Sequence, residues 1–175
     1  MDGLRLVQDA ILVAFVGTII VTDWRSRRIP NVVTYPTMVV GLVLGAIESL
    51  GPAGFPGVVF TNGAGGIVDH VAGLGFAFVI SYPFYAGGGL KAGDGKFLMA
   101  VGALRGSLFL LQAAFWGALV GGVVALGFII GRRVAARRAG DKAAMGTLLH
   151  TWIPYGVALG AGALVALAVE LRRIS

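Results

Sequence analysis

The sequence predicts an all-α fold: a polytopic integral membrane protein of about six transmembrane helices, forming one membrane-embedded domain over residues 1–175. Three observations lead to this prediction. Hydrophobic residues make up 57% of the chain and charged residues only 13%, which is too apolar for a soluble domain of this length. The apolar residues fall into stretches near the ~20 residues that a helix needs to cross a bilayer. The 29 glycines fit helices that pack closely through small residues.

The first three predicted helices cover residues 6–22, 32–50 and 67–86. The first lacks the basic flank and the cleavage site of a secretion signal, so we expect it to be retained as a transmembrane helix. A loop rich in Gly and Pro, residues 51–66, separates the second helix from the third. Three consecutive glycines, residues 87–89, end the third helix.

The fourth apolar stretch, residues 97–104, is unusually short. Even a helix that begins at Asp94 would be only about 16 Å long at ~1.5 Å per residue, too short for a ~30 Å hydrocarbon core. Two explanations compete: a short helix that starts in a protein-lined cavity, or a helix that continues through Arg105 and Gly106. The fifth and sixth predicted helices cover residues 107–131 and 152–171, and a basic segment, residues 132–142, joins them.

The distribution of basic residues predicts an orientation. If the connection after the first helix is cytoplasmic, ten of the 14 basic residues lie inside, which agrees with the positive-inside tendency. This orientation places both Asp23 and Asp94 at the cytoplasmic face. The acids predicted at the opposite rim are expected to be solvated charges: Asp2, Asp9, Glu48, Asp69 and Glu170.

Asp23 and Asp94 are the candidate catalytic residues. Each alone has a structural explanation, Asp23 as a helix-end carboxylate beside arginines and Asp94 as the N-cap of a helix. A carboxylate at a membrane boundary is costly to desolvate, and two of them at one face indicate a shared site. No cofactor and no metal are expected, because the chain has no Cys and its two His lack metal-ligand spacing.

These two regions also resemble a known family. Asp23, the basic residues after it and the Ile-Pro-Asn of residues 29–31, followed by the Ala-Gly-Asp-Gly-Lys of residues 92–96, resemble the two signature regions of type IV prepilin peptidases, membrane aspartic proteases of the GxGD type. The Ile-Pro-Tyr-Gly-Val-Ala of residues 153–158 resembles the branch that serves Flp/Tad pili. Lys91 departs from the pattern, since it replaces the first Gly of GxGD.

The resemblance implies an aspartic endopeptidase that removes the leader peptide of Flp/Tad-type prepilins or pseudopilins. It would act as a multi-pass protein at the cytoplasmic face of a bacterial or archaeal inner membrane, on a substrate anchored by its own transmembrane segment. Larger relatives carry a domain with paired cysteines and also methylate the new N-terminus. Because this chain has no Cys, we expect no methyltransferase activity.

The residues around the two aspartates have predicted supporting roles. Lys96 is expected to act as a charge near the pair or as a contact for the substrate backbone. Gly93 and Gly95 belong to the GxGD-like segment, while Pro30 and Asn31 are expected to start the second helix rather than to take part in chemistry.

Other functions are compatible with the same residues. A small proton- or cation-coupled transporter could use Asp23 and Asp94 to bind its ion, although both acids lie at one face and no inverted repeat is evident. A noncatalytic membrane assembly factor would tolerate the loss of either aspartate. Nucleic acid is not an expected partner, because the basic residues lie in short segments between helices, where they set topology.

Overall fold

The computed structural model describes residues 3–51, 59–60, 65–139 and 155–174. These ranges contain five helices and no strand, which confirms the all-α class. The helices are α1 (Gly3–Ser26), α2 (Asn31–Ser49), α3 (Gly66–Ala86), α4 (Ala92–Ala139) and α5 (Tyr155–Ile174). Four segments are long and apolar enough to cross a membrane, namely α1, α2, α3 and the Ala92–Gly131 part of α4. The total of about six spans stays a prediction.

The predicted start of the second helix and the predicted end of the third agree with the structure, whereas α1 extends to Ser26 and α4 to Ala139, beyond the predicted ends at residues 22 and 131. Pro30 is the N-cap of α2, with φ −75° and ψ 133°, and Asn31 is its first residue. The C-cap of α3 is Gly87, and Gly88 has φ 75°. The loop predicted at residues 51–66 and the start of the sixth helix at residue 152 lie mostly outside the described residues.

Helix α4 is broken at Gly106, whose φ of 80° and ψ of −179° are not helical. Only glycine adopts this conformation readily. We call the two halves α4a (residues 92–105) and α4b (residues 107–139). The short fourth stretch is therefore a separate short helix that begins near Asp94, and the alternative of one regular helix through Arg105 and Gly106 is wrong.

Helix α4b runs back toward the end of the bundle from which α4a came. Helices α4a and α3 are antiparallel, since Gly95 faces Ser81 at one end and Gly102 faces Gly73 further along. Helices α4b and α5 are also antiparallel, because Gly121 lies beside Ala158 whereas Arg105, just before the break, contacts Glu170. The break at Gly106 thus converts one long helix into a hairpin.

Glycines let α4a approach its neighbours backbone to backbone. A Cβ at Gly73 or at Gly102 would overlap the main chain of the other, and a Cβ at Gly41 of α2 would overlap the main chain of Ala103. Close approach of this kind replaces the hydrophobic drive that lipid does not supply. On the opposite side of α4a, Phe97 stacks on Phe15 of α1 with ring centroids 5.4 Å apart. Helix α4a is therefore enclosed by α1, α2 and α3.

A buried ionic cluster closes the end of the bundle opposite Asp94. Arg105 is only 2% exposed; its Nη2 donates to Glu170 Oε2 at 2.7 Å and lies 3.4 Å from Asp9 Oδ1. Arg105 Nη1 also donates to Gln8 Oε1 at 3.4 Å. Since Asp94 and Arg105 are eleven residues apart on α4a, about 16 Å of helix separates them. The cluster joins α1, α4 and α5 at this depth.

Two further contacts extend this polar layer to α2 and α3. His70, fully buried, pairs with Glu48 Oε2 at 3.2 Å and with the carbonyl of Ala103 at 2.7 Å. Asp69, also fully buried, accepts hydrogen bonds from the main-chain N–H and the hydroxyl of Ser107, immediately after the break. These contacts fix the hairpin turn to α3.

The prediction of solvated rim charges is wrong for the acids that the structure describes. Asp69 and Glu170 are buried, and the side chains of Asp9 and Glu48 are only 14% exposed. The physical reason is mutual compensation, because each acid has a hydrogen-bond donor or a positive charge from another helix. Asp2 lies outside the described residues.

Candidate active site

Asp23 lies in the last turn of α1 and is 6% exposed. The helix ends three residues later, where Arg27 takes a positive φ of 55° and donates its main-chain N–H to the Asp23 carbonyl. Three more residues lead to Asn31 at the start of α2. This short connection places Asp23 and the N-terminus of α2 at the same end of the bundle.

Asp94 is the third residue of α4 and is 3% exposed. Its Oδ2 accepts a hydrogen bond of 3.0 Å from the main-chain N–H of Lys91, the residue that precedes the helix. An acid at this third position that reaches back to the capping residue is half of a capping box. The structural explanation of Asp94 as the N-cap is therefore wrong, because the helix starts at Ala92, three residues earlier than an N-cap at Asp94 requires.

Lys91 occupies the position where the GxGD pattern has its first Gly. Its contact with Asp94 uses the main-chain N–H, which every residue except proline possesses. The carboxylate of Asp94 is thus held in the same way whether this position is Lys or Gly.

The glycines beside Asp94 allow two other elements to pack against the start of α4. A Cβ at Gly93 would lie 3.1 Å from Cβ of Ile29, in the connection between α1 and α2. A Cβ at Gly95 would lie 3.0 Å from Oγ of Ser81 on α3. Because the α1–α2 connection packs directly on the first turn of α4, Asp23 and Asp94 lie at the same end of the bundle.

Gly156 is a site residue to which sequence reasoning assigned no role. It is the second residue of α5 and packs against the side chain of Asp23: a Cβ at Gly156 would lie 2.8 Å from Oδ2 and 2.9 Å from Cγ. The segment at residues 153–158 resembles one branch of the prepilin peptidases, but its sequence does not indicate that it lies next to Asp23. Ile153 and Pro154 lie outside the described residues.

The Oδ2 atom of Asp23 is buried and accepts no hydrogen bond from the part of the chain that the structure describes. Buried carboxylate oxygens are normally paired, so an unpaired one at a site is a feature that calls for a functional reason. Asp94 differs, because its Oδ2 is bound to a main-chain donor. The two carboxylates therefore have different surroundings although they share one end of the bundle.

Lys96 of α4a contacts the first turns of α2. Its Nζ donates to Oδ1 of Asn31 at 2.9 Å and lies 5.2 Å from the centre of the Tyr35 ring. The structure thus brings together five of the predicted site residues: Asp23, Asp94 and, around them, Gly93, Asn31 and Lys96. Gly95 faces α3 on the other side of the helix start, and Pro30 caps α2.

A groove of about 360 Å³ opens beside the start of α4. Aromatic and methionine side chains of α2, α3 and α4a form most of its wall, and two lysines lie at the Asp94 end. The lining residues are Tyr35, Met38, Phe78, Ser81, Tyr82, Tyr85, Lys91, Ala92, Gly95, Lys96 and Met99. Because Gly95 follows Asp94 directly, the groove adjoins the acidic site.

Comparison with protein families decides the relationship. The family model of the type IV leader peptidases matches residues 10–126, about two thirds of the 175-residue chain. The chain belongs to the type IV leader peptidase family. This family is a peptidase family, and membership points to cleavage of prepilin leader peptides. The matched range of the chain includes Asp23 and Asp94, whereas Gly156 follows it.

Neither the comparison with curated proteins nor that with solved structures found a match. The geometry of the site is therefore what indicates the roles of the individual residues.

Proposed function

We propose that the protein is an aspartic endopeptidase in which Asp23 and Asp94 form the catalytic pair. One observation carries the proposal: two buried carboxylates, 71 positions apart in the chain, lie at one end of the bundle, where the connection that follows Asp23 packs on the first turn of the helix that holds Asp94. An accidental pair of this kind is costly, because like charges in a poorly solvated place repel each other. Membership of a peptidase family supports the same reading.

The pair can supply both proton transfers of peptide hydrolysis. One carboxylate removes a proton from water, whose oxygen attacks the scissile carbonyl carbon, while the other carboxyl group donates its proton to the carbonyl oxygen. The tetrahedral intermediate then breaks its C–N bond, and the departing amine takes the proton that the first group removed. As the new carboxyl group forms, a hydroxyl proton returns to the second carboxylate. This sequence of steps consumes water alone.

The proposed substrate is a prepilin or pseudopilin of the Flp/Tad type, anchored in the inner membrane by its transmembrane segment. The segment at residues 153–158 supports this branch by its resemblance, and the excess of basic residues near Asp23 and Asp94 supports a cytoplasmic site. Gly93, Gly95, Pro30 and Asn31 then serve to position the pair, while Lys96 contributes positive charge nearby.

Cleavage in cells provides the direct test. The chain is co-expressed with a Flp-type prepilin, and leader removal is compared for the native protein, Asp23→Asn and Asp94→Asn. We expect cleavage only with the native protein. Glu48→Gln is the matched control, since it removes a carboxylate at the opposite end of the bundle, and it should retain cleavage. Uncut prepilin with the native chain would refute the peptidase proposal and favour the transporter or assembly factor.

The cytoplasmic placement has an independent test, because the native chain contains no Cys. Single cysteines are introduced as Ser26→Cys, beside the proposed site, and Leu50→Cys, which is 87% exposed at the other end of α2. A membrane-impermeant thiol reagent should label only the Leu50→Cys variant in intact cells. The reverse pattern would place the acidic pair on the outer side.

We propose, in addition, that the protein does not methylate the pilin that it cuts. The absence of cysteine from the sequence supports this, because the methylating relatives that it resembles carry paired cysteines. Incubation with labelled S-adenosylmethionine during cleavage should leave the processed pilin unlabelled. Label on the new N-terminus would contradict the proposal.

A further inference from the structure

We propose that the groove beside Asp94 binds the apolar segment of the prepilin that directly follows the scissile bond. This inference rests on the proposed function and adds to it the surface that holds the substrate. Three observations carry it: continuity with the acidic site, the chemistry of the wall, and the charge at its end.

The groove reaches the acidic site through Gly95. Since Gly95 lines the groove and is bonded to Asp94, a peptide in the groove passes within one residue of the proposed catalytic carboxylate. A larger residue at this position would displace Ser81, because even a Cβ at Gly95 would lie 3.0 Å from Oγ of Ser81. The shape of the groove next to Asp94 therefore depends on a residue of the GxGD-like segment itself.

The wall of the groove suits an apolar helix. Phe78 and Tyr82, one turn apart on α3, are 51% and 55% exposed, and Tyr35 on the facing α2 is 49% exposed. Met38 and Met99 also line the groove, and unbranched methionine side chains adapt to irregular surfaces. Exposed aromatic rings are common at membrane boundaries, but here they surround a concave space next to the acidic pair.

The charge at the Asp94 end selects which part of the substrate enters. Lys96 hydrogen-bonds to the amide of Asn31 and lies over the Tyr35 ring, and neither contact neutralises its positive charge. A peptide that carries basic residues is repelled from this position, whereas an apolar or acidic segment is accepted. The membrane-embedded part of the prepilin is apolar, so we place it in the groove, and the leader, on the other side of the scissile bond, beyond the pair.

Photo-crosslinking tests the location. A photoreactive amino acid replaces Tyr82 in the groove or, as the control, Phe84 on the same helix, which is 61% exposed but outside the groove. Both changes are made in the Asp94→Asn variant, so that bound prepilin remains uncut. We expect a crosslink from position 82 to the apolar segment of the prepilin and a much weaker one from position 84. A crosslink to the leader, to lipid only, or equally from both positions would overturn the inference.

Kinetics and charge provide a second test. Phe78→Ala should raise KM about tenfold with little change in kcat, because a contact with the bound segment is lost. Val79→Ala, at the adjacent 64% exposed position outside the groove, is the control.

A prepilin with Lys inserted directly after the cleavage site should be cut poorly by the native chain and better by Lys96→Glu. If the native chain cuts prepilin but these variants behave alike, the groove assignment alone fails; if it cuts none, the proposed function fails first.

Discussion

Replacement of Gly156 by alanine tests how accurately Asp23 must be placed. The added Cβ would lie 2.8 Å from Oδ2 and 2.9 Å from Cγ of Asp23, whereas ordinary contacts begin at 3.4 Å. Because Cβ of Asp23 would also be only 3.1 Å away, the whole side chain must shift by about 0.6 Å, and rotation of the carboxylate alone is not enough. Misplacement of a catalytic group by ~1 Å costs on the order of 100-fold in rate.

We therefore expect Gly156→Ala to lower the rate of leader cleavage by about 10- to 100-fold, equivalent to ~1.4–2.7 kcal/mol in activation free energy. The assay is cleavage of purified prepilin in detergent or liposomes, with kcat and KM measured separately and thermal unfolding recorded for each variant. The fall should be in kcat, since Gly156 lies outside the groove.

Gly160→Ala is the matched control. It pushes α5 away from α1 at almost the same distance, with its Cβ 2.9 Å from Cγ1 of Ile20, but it is one turn away from the carboxylate. If Gly160→Ala loses as much activity as Gly156→Ala, separation of the helices explains the effect. Native kcat in Gly156→Ala would likewise refute the reasoning.

The remaining predictions concern Lys91, Arg105 and Gly106. Lys91→Gly should retain cleavage within about threefold while Lys91→Pro loses it, because the bond to Asp94 comes from the main-chain N–H; equal activity of the two variants would contradict this. Arg105→Leu should destabilise the protein by about 3–5 kcal/mol by leaving buried acids without their cation, and the addition of Glu170→Gln should restore part of the loss in a thermal unfolding assay. Gly106→Ala should cost about 1–3 kcal/mol in denaturant unfolding because of its φ of 80°, whereas Gly122→Ala, which meets open space, should cost nothing.

Local chemistry in the sequence was sufficient to predict the start of α2, the end of α3 and the shared location of the two aspartates. Pro30 and the glycines at residues 87–89 act on their own backbone, so their effect does not depend on the rest of the fold. Alternation of spans then places Asp23 and Asp94 at one end, as the structure has them. The short helix near Asp94 followed from its length alone.

Pairing between distant segments could not be predicted in the same way. The partners of Arg105 come from α1 and α5, 96 and 65 positions away, and no periodicity connects them. The contact of Gly156 with Asp23 could not be predicted either, because it depends on how α5 packs against α1. The explanation of Asp94 as an N-cap failed for a smaller reason: helix α4 starts at Ala92, so the N-cap is residue 91, and a shift of three residues changes an N-cap into an N3 acid.

The ionic cluster around Arg105 has a consequence for how the chain is made in the cell. A buried arginine without a partner is unfavourable in a membrane protein. The partners of Arg105 on α1, Gln8 and Asp9, are made before it, but its closest partner, Glu170, is synthesised 65 residues later. During biosynthesis, the cluster around Arg105 is therefore incomplete until α5 arrives. Completion of the active site and neutralisation of this charge are consequently late events, and both depend on the same last helix.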